Sequence, residues 1–144
     1  MTDLDTAAAP VGAGTDNELA TAWRDLLARH AATSCALDRE LGEKHDLGMS
    51  EFEVLERLWE ADLPDGKGQR SQDLACTVHL SQSALSRLIT RLEKAGLVAR
   101  TLCEVDRRGI YVTLTAAGRA RYLDARPTHR AVLAATLTPP DGDR

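Results

Sequence analysis

The sequence predicts a mainly α-helical domain carrying one small β-hairpin. Three observations predict it. Apolar residues recur at helical spacing through most of the 144 residues. Only 3% of residues are aromatic while alanine and leucine are plentiful, a balance that suits helices better than a β-sandwich. One stretch, Ile110 to Leu114, alternates apolar with polar residues as a half-buried strand does.

The elements follow in chain order. Residues 1–15 read as a disordered tail of small and polar residues. Asp16 is placed to cap a first helix, with Glu18 in its first turn. Leu19, Trp23, Leu26, Leu27, Ala31, Leu37 and Leu41 give that helix an apolar stripe too long for a simple globular helix. It is expected to pair with a partner helix, ending over residues 42–48. Ser50 and Glu53 are spaced as a capping box, with Met49 and Val54 as its staple. They open a second helix whose buried face is Val54, Leu55, Leu58 and Trp59. Pro64-Asp65-Gly66 reads as a turn. Ser71 is expected to cap a short helix, residues 72–78, that turns Leu74, Ala75 and Val78 inward.

Ser81 caps the next helix, with Leu80 and Leu85 as its staple. Leu85, Leu88, Ile89 and Leu92 form one apolar face. Gly96 stands where a left-handed stop belongs, and Leu97 can fold back on Leu92. Residues 98–103 and 109–114 are expected strands, Ile110, Val112 and Leu114 pointing inward, with a hairpin tip between them. Thr115 caps a last helix that Pro127 is expected to kink or split before Leu137.

The net charge of −4 argues superficially against a nucleic-acid partner, but its distribution argues for one. Between Arg70 and Thr113 seven basic residues face four acidic ones, a net +3 that leaves −7 on the rest of the chain. No apolar run is long enough to span a bilayer, and the first residues lack the pattern of a secretory signal, so the chain is expected to be cytoplasmic. Cys35, Cys76 and Cys103 form no CxxC pair and are expected to be free thiols.

The outward face of the helix from Gln82 to Ala95 carries Gln82, Ser83, Ser86, Arg87, Thr90, Arg91 and Lys94. These are short hydroxyls, an amide and cations, as a helix in the major groove requires. Arg87 suits guanine, Gln82 suits adenine, and the serines and Thr90 suit phosphate or methyl contacts. Ser81 opens that helix, and Arg70, Ser71 and Gln72 fall where the preceding helix would cross the backbone. Arg107 and Arg108 project from the hairpin tip, where an arginine can enter a narrow minor groove. Any surface helix turns polar residues outward; the combination with a helix-stop glycine and a basic hairpin is far less common.

Leu74-Ala75, the run from Leu80 to Val98, and Asp106-Arg107-Arg108-Gly109-Ile110-Tyr111-Val112-Thr113-Leu114-Thr115-Ala116-Ala117-Gly118 together resemble the MarR family of winged-helix regulators. The similarity covers roughly residues 18–137. It implies a winged helix-turn-helix with flanking N- and C-terminal dimerisation helices: residues 16–46 and 115–137 for dimerisation, residues 50–114 as the DNA-binding lobe, and residues 138–144 as a tail. It implies a homodimer on a pseudo-palindromic duplex site, its recognition helices about one helical turn (~34 Å) apart. It also implies repression relieved by a small ligand or an oxidant. A further helix usually follows in the family. Residues 137–141 look like its first capping residues, so the dimer is expected to rest mainly on the first helix and residues 116–137.

The resemblance places an effector between the first helix, the second helix and the DNA-binding lobe. Trp23, Arg24, Leu27 and His30 on the first helix, with Trp59 on the second, could hold an aromatic carboxylate by charge at one end and stacking at the other. Equally, Trp23 fits as core, His30 as an interior or interface residue, and Arg24 as a surface charge. Redox sensing through Cys35 is an alternative, though burial is the ordinary fate of such a cysteine, and Cys76 is expected to serve packing. Cys76, His79 and the scattered histidines make no metal pattern, and no cofactor is expected. The chain has no phosphate-binding glycine loop, HExxH or GxSxG, so it is not expected to be an enzyme. The remaining competitor is a winged-helix module that binds protein instead of DNA, which would show more exposed aliphatic or aromatic residues on the recognition face.

Overall fold

The computed structural model describes residues 12–65, 69–102 and 109–138. The order is α1 (Gly12–His45), α2 (Met49–Asp65), β1 (Gln69–Arg70), α3 (Ser71–Val78), α4 (Gln82–Lys94), β2 (Val98–Leu102), β3 (Ile110–Leu114) and α5 (Ala116–Leu137). The three strands form an antiparallel sheet in the order β1-β3-β2, with Arg70 opposite Tyr111 and Arg100 opposite Val112. Strand β1 was not foreseen, because two residues are too few to show alternation.

The best-predicted element is α4. The Ser81 Oγ accepts from the Ala84 N–H at 3.2 Å. Leu85, Leu88, Ile89 and Leu92 are buried. Gly96 takes φ +76°, and the Leu97 and Gly96 N–H groups reach the Leu92 and Glu93 carbonyls at 2.9 and 3.0 Å. That pair of bonds satisfies the carbonyls the helix end leaves free. The Thr115 cap is also as expected: its Oγ1 accepts from the Gly118 N–H at 3.0 Å and donates to the Gly96 carbonyl at 2.6 Å, fastening α5 to the end of α4.

Other boundaries differ from the sequence expectation. Helix α1 already runs from Gly12, so Asp16 lies inside it and is not its cap. It passes through Gly42 and ends at His45, where Asp46 takes φ 54°. The α2 cap sits two residues before Ser50. The Glu51 Oε1 accepts the Gly48 N–H at 2.9 Å, and Asp38 of α1 accepts the Met49 N–H at 2.8 Å. A carboxylate supplied from α1 thus competes with the local box. Leu47 and Phe52, both buried, then fall at the staple positions in place of Met49 and Val54. Helix α2 continues to Asp65, so Pro64 and Asp65 belong to its last turn and not to a loop; Gly66 lies outside the described residues. Ser71 begins α3 and does not cap it; Arg70 holds the cap position without a side-chain bond. Ile110 is 43% exposed at the start of the central strand, past the end of its pairing with β1, while Val112 and Leu114 are buried.

Pro127 neither splits nor ends α5, which runs unbroken to Leu137. A proline removes one helix hydrogen bond. Here Tyr122, Ala125, His129 and Val132 on both sides of it are buried in the core and hold the helix in line. Arg130 adds an ion pair to α2, its Nη2 donating to Glu56 Oε2 at 2.7 Å. Tyr122 donates to the same oxygen at 2.8 Å, and Arg130 Nη1 donates to His129 Nδ1 at 2.6 Å. The His129 ring stacks on Phe52 with centroids 4.2 Å apart. This network braces α2 against α5 and could not be read from the sequence.

Burial pushes the Glu56 carboxyl up, but the hydrogen bonds from Arg130 and Tyr122, with the charges of Arg130 and His129, outweigh it and leave the group below its ordinary value. A carboxylate lowered in the folded state stabilises the fold above its unfolded pKa and loses that contribution as pH falls through the folded value. Urea denaturation should therefore show stability falling below about pH 4.5. Glu56→Gln should flatten that acid limb and cost about 2 kcal/mol at pH 7, the order expected for hydrogen bonds to a charged group. An acid limb unchanged in Glu56→Gln would show that the brace does not carry it. On the alkaline side Tyr122, pushed up to about 12 first by burial and then by its bond to Glu56, favours folding less as pH rises from 10.

Candidate nucleic-acid interface

Helix α4 presents its polar face to solvent because its four large apolar residues all point the other way, onto α2, α3 and the sheet. Gln82, Ser83, Ser86, Arg87, Arg91 and Lys94 are exposed, and Thr90 is half-buried. The Ser81 hydroxyl is occupied as the helix cap. No large apolar side chain interrupts this face between Gln82 and Lys94, which is the feature that separates a DNA-reading surface from a protein-docking one.

The sheet carries the second part of the site to the first. Pairing of β1 with β3 sets Arg70 beside the base of the hairpin, its guanidinium packed so closely on Gly109 that a Cβ there would lie 3.3 Å from Nε and Nη2. Arg70, Ser71, Gln72, Gln82, Gly109 and Ile110 line one groove of about 290 Å³. The residues expected at phosphates and the amide expected at a base edge therefore share one concavity with the hairpin base. A second groove of about 540 Å³ runs along the other side of α4, between Ser50, Leu80, Ala84, Arg87, Leu88 and Arg91. Arg107, Arg108 and Cys103 lie outside the described residues.

One residue was missed. Arg100 on β2 reaches back to α4, its Nη2 donating to the Ser86 carbonyl at 3.1 Å and to Thr90 Oγ1 at 2.9 Å. The Thr90 hydroxyl, expected to face DNA, is instead committed inside the protein. Arg100 was counted in the basic segment, but no local spacing rule links a strand residue to a carbonyl of the preceding helix.

The proposed effector set is not assembled within the chain. Trp23 is 59% exposed and Leu27 46%, and Arg24 and His30 are exposed too. Trp59 packs elsewhere, its ring centroid 5.3 Å from that of Tyr122. Among the described residues nothing encloses the five together. The expectation of Trp23 as core is corrected, since residues 21–32 of α1 all lie open to solvent. Cys35 and Cys76 are likewise exposed thiols, not buried ones: Cys35 because Thr33 and Leu37 take the inward face of α1 there, Cys76 because Leu74 and Ala75 take the inward face of α3. Among the described residues no group of three His, Cys, Asp or Glu is placed to hold a metal, and no helix is long and apolar enough to cross a membrane.

Known proteins share both the sequence pattern and the architecture. A family model described as MarR family matches residues 47–110. The homoprotocatechuate degradative operon repressor of Escherichia coli is 32% identical over 97 residues, 67% of this chain and 61% of the repressor. The chain thus spans about 61% of the length of that curated relative. AbsC, a MarR family transcriptional regulator from Streptomyces coelicolor, is 35% identical with a TM-score of 0.74, over 84% of this chain and 81% of AbsC. Another MarR family regulator of Streptomyces coelicolor, solved in complex with DNA, is 26% identical with a TM-score of 0.77, over 87% of this chain and 78% of its own. The family model, the 35% identity to AbsC and the shared architecture agree with the helix order and the small sheet described above, and the chain belongs to the MarR family of winged-helix transcriptional regulators.

Proposed function

We propose that this chain is a repressor that binds a pseudo-palindromic duplex DNA site as a homodimer and is released by a small-molecule effector. The observation that carries it is the exposed face of α4 joined to the groove lined by Arg70, Ser71, Gln72 and Gln82. Phosphate contacts from Arg70, Ser71 and Gln72 would set the register. Gln82, Ser83, Ser86 and Arg87 would approach base edges, Arg91 and Lys94 would neutralise backbone, and Arg107 and Arg108 would enter the minor groove. The dimer would form through the open stripe of α1. Repression is supported by the Escherichia coli relative, which is a repressor.

Fluorescence anisotropy with a labelled duplex from the region upstream of the chain's own gene tests this. Affinity should fall steeply with salt, as neutralised phosphates release counterions. Arg87→Ala should weaken binding about 10- to 100-fold and relax discrimination at one base pair, the order for one bidentate guanine contact. A wild-type chain that ignores duplex DNA, or binds it with no salt dependence, removes the reading.

The effector reading is an aromatic carboxylate held by Arg24 and His30 with stacking on Trp23, beside Leu27 and Trp59. All four α1 residues are accessible to a ligand or to a second subunit, and the Escherichia coli relative represses an operon that degrades an aromatic acid. Protocatechuate- and salicylate-like acids added to the same assay should release the duplex, and Arg24→Ala should blunt release. Acids that neither bind nor release it dismiss the reading.

A further inference from the structure

Arg100 lies on β2, outside every set of DNA-facing residues named so far. Its side chain is exposed, and both contacts it makes are to the recognition helix. One terminal nitrogen, Nη2, serves the Ser86 carbonyl and the Thr90 hydroxyl together. Thr90 donates its own hydroxyl hydrogen to that same carbonyl at 2.9 Å, so its oxygen is left to accept from the guanidinium. The three groups close a small ring on the surface of α4.

A guanidinium has five N–H donors in one plane. Two are used by Nη2 on the helix, which leaves Nε–H and the Nη1 donors. Among the described residues no carboxylate pairs with Arg100, in contrast to Arg130, Lys44 and Arg57, which each hold one. An arginine fixed at one end and uncompensated in charge, beside Ser86 on a helix face of the same sign, is arranged for an anion approaching α4. Its side-chain entropy has already been given up to the helix contacts, so engaging a phosphate costs less than for a free-swinging lysine.

We propose that Arg100 is a further DNA-contacting residue: it donates from its Nη1 end to a backbone phosphate flanking the groove that α4 enters, and Thr90 is its positioning residue. The proposal rests on the DNA-binding reading above. It reassigns Thr90 from a direct contact to one acting through Arg100.

The test uses the full chain with the upstream duplex and a mixed-sequence duplex of about 30 base pairs, since phosphate contacts ignore sequence. Wild type, Arg100→Gln, Arg100→Lys and Thr90→Val are each titrated across a salt series. Arg100→Gln should bind about fivefold more weakly and flatten the plot of log affinity against log salt by about 0.9 per protomer, one phosphate's share. Arg100→Lys should keep the wild-type slope but bind about threefold more weakly, because an ammonium cannot span Ser86 and Thr90 while reaching a phosphate. Thr90→Val should also keep the slope and lose about threefold. Partial unfolding would lower the active fraction without moving the slope. An Arg100→Gln slope equal to wild type overturns the phosphate contact, whatever happens to affinity. Thr90→Val binding with wild-type affinity overturns the positioning role of Thr90, whose neutral hydroxyl adds nothing to the slope of its own. If wild type binds neither duplex, it is the DNA-binding reading that fails.

Discussion

Gly118→Ala is expected to lower the melting temperature by roughly 10 °C, for a loss of about 3 kcal/mol. Alanine within a helix ordinarily stabilises relative to glycine by about 0.5–1 kcal/mol, so the sign here is set by space alone. A Cβ on Gly118 would overlap the Leu97 carbonyl oxygen and stand 2.9 Å from its carbon, with a Leu114 methyl at 3.2 Å. The obstacle is backbone and cannot rotate aside. That carbonyl also accepts the Thr115 N–H at 3.1 Å, so moving it breaks the start of α5. Gly42→Ala supplies the control: it too lies in a helix, a Cβ there meets nothing within 4 Å, and it should be neutral or slightly stabilising. Thermal melts of the two variants side by side decide the matter. Gly118→Ala melting within about 2 °C of wild type would mean that α5 and the turn before β2 lie further apart than described.

The second large effect concerns α1. Trp23→Glu with Leu26→Glu should convert a dimer into a monomer at micromolar concentration and weaken binding to a two-half-site duplex by 100-fold or more. Leu19, Trp23, Leu26 and Leu27 are 64%, 59%, 57% and 46% exposed, and Leu123 and Leu137 of α5 are open as well. An exposed apolar surface of this kind marks an interface. Among the described residues, moreover, nothing buries residues 21–32 of α1, and an isolated helix of that length is marginal in water. A second copy laying the same stripe alongside would supply the missing cover. Two tethered half-site contacts bind far more tightly than one, since the second event occurs at an effective concentration near millimolar. The fold itself should survive, because Leu37 and Leu41 anchor the other end of α1 in the core. Light scattering on the eluting variant, with circular dichroism, checks this. A variant that remains dimeric would place the interface on α5 instead.

Legibility in the sequence tracks how local each determinant is. Between Ser81 and Leu97 every signal acts within about five residues: a hydroxyl reaching three residues ahead, an apolar face at i, i+3, i+4 and i+7, a glycine able to take positive φ. That element, the Thr115 cap and, Thr90 apart, the exposed polar face of α4 stand in the structure as expected. Where a distant group intervened, the local signal failed. Asp38 of α1 captures the Met49 N–H and shifts the α2 cap away from Ser50. Core packing on both sides of Pro127 carries α5 through a residue that would break an isolated helix.

By itself the sequence determined the family, the order of the helices and the hairpin, and the helix from Gln82 to Lys94 with its apolar face, because periodicity and capping are written over a few neighbouring residues. Only the tertiary structure decided which polar groups meet. Glu56 finds Tyr122 and Arg130 across 66 and 74 positions, and Arg100 of β2 binds Ser86 and Thr90 of α4. It also decided that, among the described residues, nothing covers residues 21–32 of α1. Such pairings depend on how the chain closes on itself, and a loop of that length leaves no period in the sequence to read.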